Sequence, residues 1–374
     1  MLMIPGPTPV PEKVLHSLAK HPIGHRSGDF SKIIAEINQN LKWLHQTKGD
    51  VLSLNVSGTG AMEAGMINFL SPGDRVLVGV NGKFGDRWAK ICDVFGLQTE
   101  RITADWGKPL DTEAFRTKLE ADTNKEIKAV VITHSETSAG VLNDLVTINK
   151  HVKAHGEALI IVDAVTSLGA YNLPIDDWGL DVVASGSQKG YMIPPGLGFV
   201  SVSDKAWKAY ATAKIPRFYM DLGKYKKANA EDSSPFTPPI NLMYGLQTAL
   251  QMMQREGLEN IFARHLRLTQ ATRAAAKALG LGLFAPDDAA STAITAISSD
   301  DSEKIRSIMS KKYDIALAGG QDHLKGKIFR IGHLGFVSDR DILTAISCLE
   351  ATLIELGHNF DAKAGVKAAA AALS

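Results

Sequence analysis

The chain lacks most of what would place it in a specialised class. Its 374 residues include only two cysteines, Cys92 and Cys348, far apart and in no CxxC pair. A disulfide framework, a structural zinc site or an iron–sulfur cluster therefore has little to be built from, and a reducing cytoplasmic setting suits this usage. No run of about 18 apolar residues is present, and Met1 to Gly6 lead into a Pro/Gly turn without a basic region and apolar stretch. The expectation is a protein neither secreted nor membrane-spanning. Excess charge is missing too: 41 Lys and Arg against 40 Asp and Glu leave a formal +1, so no global field favours nucleic acid or an anionic membrane. No internal repeat is visible.

What is there reads as an ordinary globular enzyme, with 45% hydrophobic and 22% charged residues and a length that suits a large domain plus a smaller one. Between Val51 and Ser203, short Val/Ile/Leu runs alternate with segments of helical length. The runs are Val51–Val56, Arg75–Val80, Ala129–Thr133, Ala158–Asp163, Asp181–Ser185 and Leu197–Val202. Continuous apolar strands separated by helices predict an α/β domain whose parallel or mixed sheet is covered on both faces. Residues 241–279 read as helix with a possible break at Gly257, and the rest as a small α+β domain. The prolines from Pro5 to Pro11 exclude regular structure and predict an extended arm before a helix at Glu12–Lys20. The predicted division is 1–20 for the arm and first helix, 21–245 for the large domain, 246–358 for the small domain and 359–374 for an Ala-rich tail. That tail has no large-apolar stripe and reads as a frayed helix or a disordered end.

Lys189 stands in Ser185-Gly-Ser-Gln-Lys189, just past a buried strand and before a Pro/Gly-rich loop. A buried ammonium is costly, so packing gives it no reason to be there, whereas Schiff-base chemistry does. Asp163 ends the apolar run Ala158–Asp163, at the edge where doubly wound sheets bind ligands. Asn55-Val-Ser-Gly-Thr-Gly60 joins a strand to a helix with small residues, so that helix amides and the Thr59 hydroxyl suit a phosphate. Neither GxxxxGK nor GxGxxG is matched, which favours one phosphate on a small cofactor. Taken singly, each has a plainer reading: a solvated loop lysine, a helix N-cap, an empty Gly-rich turn.

Five segments occur together and in order: Ser57-Gly-Thr-Gly60, Thr133-His-Ser-Glu-Thr-Ser-Ala-Gly140, Val162-Asp-Ala-Val-Thr-Ser-Leu-Gly169, Ser185-Gly-Ser-Gln-Lys189 and Phe329-Arg-Ile-Gly332. In this the chain resembles the class V, fold type I aminotransferases, and within them the alanine–glyoxylate and serine–glyoxylate group, whose chains also open on a segment like Pro5–Thr8. The resemblance spans roughly residues 4 to 356. It implies a mostly parallel seven-stranded sheet in the large domain and pyridoxal 5'-phosphate (PLP) as cofactor. Lys189 would hold PLP as a Schiff base and Asp163 would pair with the pyridine nitrogen. Thr59, the amides of Gly60 and Ala61, and Gln188 would hold the phosphate. Thr137 would lie near the ring oxygen, and Phe84 would stack on the ring. Arg330 would grip the substrate carboxylate through its planar fork, with Gly6 beside it; its plainer reading is a surface arginine on an edge strand. Thr237 would reach a phosphate in the other subunit of a homodimer with shared active sites, though Ser234 stands where some relatives have a tyrosine. The substrates would be a small amino acid, alanine or serine, and a 2-oxo acid such as glyoxylate.

Three other functions remain open at this stage. A cysteine desulfurase needs a reactive loop cysteine, and both cysteines fall within predicted helices. Another donor and acceptor pair, such as serine with pyruvate, leaves no mark that the sequence reveals. A non-catalytic, hydrogenase-associated subunit that keeps the fold is the rival from a different class.

Overall fold

Six of the apolar runs become strands of one seven-stranded sheet in the computed structural model, which describes residues 1–374. Across the sheet the strands are Asp50–Leu54, Gly198–Val202, Val182–Gly186, Leu159–Asp163, Ile127–Thr133, Arg75–Val80 and Gln98–Thr103. Gly198–Val202 runs antiparallel to both neighbours, and every other pairing is parallel. Alternation along each strand feeds two cores. Val130, Ile132, Ile160 and Val162 pack on one face, and Ala129, Val131, Leu159 and Ile161 on the other. Both faces are covered, which is why these strands carry so few polar residues. The seventh strand, Gln98–Thr103, was not visible as an apolar run. It is an edge strand, with Gln98, Arg101 and Thr103 exposed.

A second sheet of five strands orders Leu2–Met3, Ala316–Gly319, Ile328–Gly332, Ile294–Ser298 and Gly282–Leu283. Leu2–Met3 pairs parallel to Ala316–Gly319. The beginning of the chain is thus regular for two residues before the prolines of the arm take over. The first helix is Glu12–Leu18, and the long helical region divides into Ile240–Glu256 and Leu258–Ala278 at Gly257, whose φ is 83°. That left-handed value favours glycine and ends the first helix there.

The Ala-rich end is neither frayed nor disordered: Ala364–Leu373 is a helix packed on Leu258–Ala278 and Asp339–Glu355. Ala369 is fully buried in a core cluster with Leu268, Ile305 and Leu349, and a Cβ on Gly365 would lie 2.8 Å from Leu279 Cδ1. Small residues let this helix approach closely, so it needs no stripe of large apolar side chains. No helix is long and apolar enough to cross a membrane.

The topology decides where chemistry can happen. Strand register sets Asp163 beside Thr133 and Ala184, and Gly198 beside both Gly186 and Leu54. The loops that follow these strand ends therefore converge on one rim of the large sheet. The arm, anchored in the small sheet by Leu2–Met3, crosses to that same rim.

Candidate active site

Lys189 lies in the loop after Val182–Gly186, a loop shaped by Ser187, whose hydroxyl donates to the Pro194 carbonyl (2.8 Å) and accepts from the Leu197 amide (3.2 Å). The side chain is 9% exposed and donates a single hydrogen bond, from Nζ to the Pro5 carbonyl at 2.7 Å. The arm is fastened there twice more: the Thr8 amide donates to the Gln188 carbonyl (3.1 Å) and the Thr8 hydroxyl to the Lys189 carbonyl (3.0 Å). Gly6 has φ 145°, and a Cβ on it would fall 2.6 Å from Lys189 Nζ, so only glycine admits the lysine here. Burial pulls the Lys189 amine down to about 8; Asp163 opposes the shift, and the charges of Arg330 and Arg87 add to it. A loop lysine in free solvent would show none of this.

Asp163 is 4% exposed at the end of its strand. Its Oδ1 accepts from the Val165 amide at 2.9 Å, but no helix follows, so it closes a turn and is not a helix N-cap. Burial raises its carboxyl to about 6, against the Val165 hydrogen bond and the nearby charges of Arg87 and Lys189. The two groups thus move towards each other: an acid weakened and an ammonium made easier to deprotonate.

The Gly-rich turn opens the helix Gly58–Ile67, and Ser57 gives it no side-chain cap, so its first amides, from Gly58 to Gly60, lack a capping partner. A Cβ on Gly60 would meet Val56 Cβ at 2.6 Å, which explains the glycine. Ala61 is fully buried, and its amide, expected at the phosphate, instead donates to the Ser57 carbonyl at 3.0 Å as the first bond of the helix. The Thr59 hydroxyl accepts from Arg87 Nη1 at 3.0 Å, and the Arg87 guanidinium lies over the Phe84 ring, 4.9 Å from its centroid. Gln188 turns its side-chain oxygen into the interior without a hydrogen-bond partner, 3.3 Å from where a Cβ on Gly186 would sit.

Arg330 comes from the small sheet and is 6% exposed, not on the surface. Its Nε and Nη2 donate to the Gly319 carbonyl (3.0 and 2.7 Å) and Nη1 to the Thr137 carbonyl (2.9 Å). Three of the five N–H donors are so used, and one remains on each terminal nitrogen. Burial lowers it to about 10, Glu136 opposing and Arg306 adding to the shift. The Thr137 hydroxyl pairs with the Thr166 hydroxyl at 2.8 Å, just past Asp163.

Two residues escaped the sequence reading. Glu136, fully buried, accepts at Oε2 from the Phe84 and Gly85 amides (3.1 and 3.0 Å) and at Oε1 from the Ser138 hydroxyl and amide (2.6 and 3.2 Å). It fixes the turn bearing Phe84 to the turn bearing Thr137; its carboxyl is raised by burial. Arg87 is the other. Glu136 stood inside Thr133–Gly140 and Arg87 three residues past Phe84, but Glu136 meets Phe84 and Gly85, and Arg87 meets Thr59, only across the fold, so nothing local signalled them. Thr237 is not joined to this group: it is exposed on the stretch 233–239 and lines a cleft with Asn55, Tyr225 and Phe236. Cys92 is buried, its thiol pushed up to about 12, and Cys348 lies in the helix Asp339–Glu355.

Comparison with known proteins narrows the field. A family model described as aminotransferase class-V matches residues 2–332. The "Soluble hydrogenase 42 kDa subunit" of Anabaena cylindrica is 70% identical over 377 residues, covering 100% of this chain and 98% of that protein. The L-aspartate–glyoxylate aminotransferase of Paracoccus denitrificans is 37% identical over 374 residues, 98% of this chain and 94% of that one. A crystal structure of alanine–glyoxylate aminotransferase from Nostoc sp. superposes with a TM-score of 0.89 at 30% identity, covering 94% of each chain.

Proposed function

The chain belongs to the class V aminotransferases, and from that premise we propose that it moves the amino group of alanine or serine to a 2-oxo acid, most favourably glyoxylate, using PLP. The observation that carries this reading is the meeting of Lys189, Asp163 and Arg330, brought from two sheets into one buried space and each shifted by that burial. Both aminotransferase relatives are named for glyoxylate, while their donors differ, which supports the acceptor more than the donor.

The residues fit the cofactor. Uncapped amides at Gly58–Gly60 and the Thr59 hydroxyl suit its phosphate, with the Gln188 side chain near that turn; Asp163 suits its pyridine nitrogen, and Phe84 and Thr137 are held by Glu136 and Arg330. When bound, PLP supplies an electron sink for the bonds at the substrate Cα. Arg330 presents its two remaining N–H groups to the substrate carboxylate, a planar match that lysine does not offer. That contact fixes Cα relative to Lys189. The Lys189 amine would take the proton from Cα and give it to the cofactor's C4′ carbon, on the other side of the amino nitrogen, and its lowered basicity suits a base working near neutral pH. Asp163 holds negative charge at the far end of the space. The Pro5 carbonyl gives the amine a resting partner, and the arm helps to exclude water. The active unit is a homodimer, in which the exposed Thr237 reaches the partner's site.

One finding favours a second reading: the hydrogenase-subunit name of the Anabaena relative. In this chain no group of three or more His, Cys, Asp or Glu side chains could hold a metal ion, so a hydrogenase role would be non-catalytic. A matrix of donor and acceptor rates decides between them. Alanine or serine with glyoxylate is expected to be fastest; no transfer from any amino acid to any 2-oxo acid would leave the subunit reading.

A further inference from the structure

The group that the reaction scheme leaves unused is Arg87. It sits in the helix Lys83–Val94, half-buried, with its guanidinium over Phe84 and one N–H on the Thr59 hydroxyl. No carboxylate lies within ion-pair distance of it; its neighbour Asp86 pairs with Lys90 instead. Four of its five N–H donors have no acceptor in the chain. A partly desolvated cation without an anion is costly, and arginines so placed are ordinarily matched by a carboxylate or a phosphate. The hydroxyl it does touch belongs to the Gly-rich turn, whose amides from Gly58 to Gly60 are also uncapped. Unpaired positive charge and unpaired amides therefore face the same small volume. Both want the same thing, an anion.

We propose that Arg87 is a phosphate-binding residue: its guanidinium supplies the positive charge that holds the cofactor's phosphate over the Gly58–Gly60 turn. The proposal rests on the reading that this site takes PLP. It makes Arg87 a selector for phosphorylated over unphosphorylated cofactor.

The test is equilibrium binding to the cofactor-free protein, followed by absorbance and intrinsic fluorescence, with PLP and with pyridoxal, which has the same ring and no phosphate. Arg87→Gln is expected to weaken PLP about ten- to a hundredfold, the range for losing a charge-assisted hydrogen bond to an anion, and to change pyridoxal less than twofold. Arg87→Lys keeps the charge without the fork and is expected to recover part of the loss. Inorganic phosphate should compete with PLP in the parent protein and less in Arg87→Gln. Unchanged pyridoxal binding also shows that the variant is folded. Equal weakening of PLP and pyridoxal, or no weakening of either, overturns the phosphate role. A parent protein that binds neither ligand overturns the PLP reading itself, a different outcome from either.

Discussion

The two halves of the site are built on opposite principles. On the large sheet, Lys189 and Asp163 are buried with one hydrogen bond each, so they stay chemically uncommitted, and desolvation brings both proton affinities close to neutrality. On the small sheet, Arg330 is committed by three hydrogen bonds to carbonyls, Gly319 from its own sheet and Thr137 from the other side, leaving two donors aimed by that clamp. One half is arranged to change protonation state, and the other to hold a fixed geometry. The difference teaches that burial alone does not define an active site: what matters is how many partners a buried group already has. The arm Pro5–Thr8 is the hinge of the comparison, since it belongs to the small sheet by its strand and to Lys189 by its contacts.

Perturbing each half should give a distinct signature. Lys189→Ala removes the uncommitted base, and kcat should fall roughly 10²- to 10⁴-fold with little change in thermal stability, as single-turnover kinetics and calorimetry would report. Arg330→Lys keeps the charge but loses the fork. Here kcat/KM for an amino acid should fall about 10²-fold, while PLP binding changes little; a large loss of PLP binding would break the division of labour. Gly6→Ala attacks the hinge, where the new Cβ would collide with Lys189 Nζ. Its kcat should drop roughly 10- to 100-fold, because displacing the lysine by about 1 Å misaligns the proton transfer.

The pH dependence of stability separates the halves thermodynamically. The Asp163 carboxyl titrates near 6 in the folded protein against an ordinary 3.8, so between those values the native state keeps a proton that the unfolded chain has lost. Stability of the cofactor-free protein relative to Asp163→Asn should therefore fall as pH rises from about 4 to 6, by at most about 3 kcal/mol, and be flat above. Denaturant titrations at a series of pH values would show it, and a rise over that window would contradict the burial argument. Removing residues 364–374 exposes core against which Ala369 packs, and should cost about 2 kcal/mol of stability. PLP affinity should be unchanged.

The same contrast governs what the sequence discloses. Strands buried on both faces must be continuously apolar, so Leu159–Asp163 and Ile127–Thr133 were legible, and so was the carboxylate that ends the first of them. Gln98–Thr103 was hidden because an edge strand keeps Gln98 and Arg101 in solvent. Leu2–Met3 is too short for any period, and the last helix packs through Gly365 and Ala369, which leave no amphipathic trace. In the site, the motifs pointed to Lys189, Asp163 and Arg330. They did not disclose Glu136 and Arg87, whose roles exist only once residues 51 or 28 positions apart meet.

The central claim is that Lys189, desolvated beside Asp163, is the group that holds the cofactor. Reductive trapping of the PLP-saturated protein with borohydride, followed by peptide mass mapping, tests it directly. A single adduct on the peptide containing Lys189, absent from Lys189→Ala, is the predicted result; an adduct on another lysine, or none in a protein that binds PLP, would contradict the account.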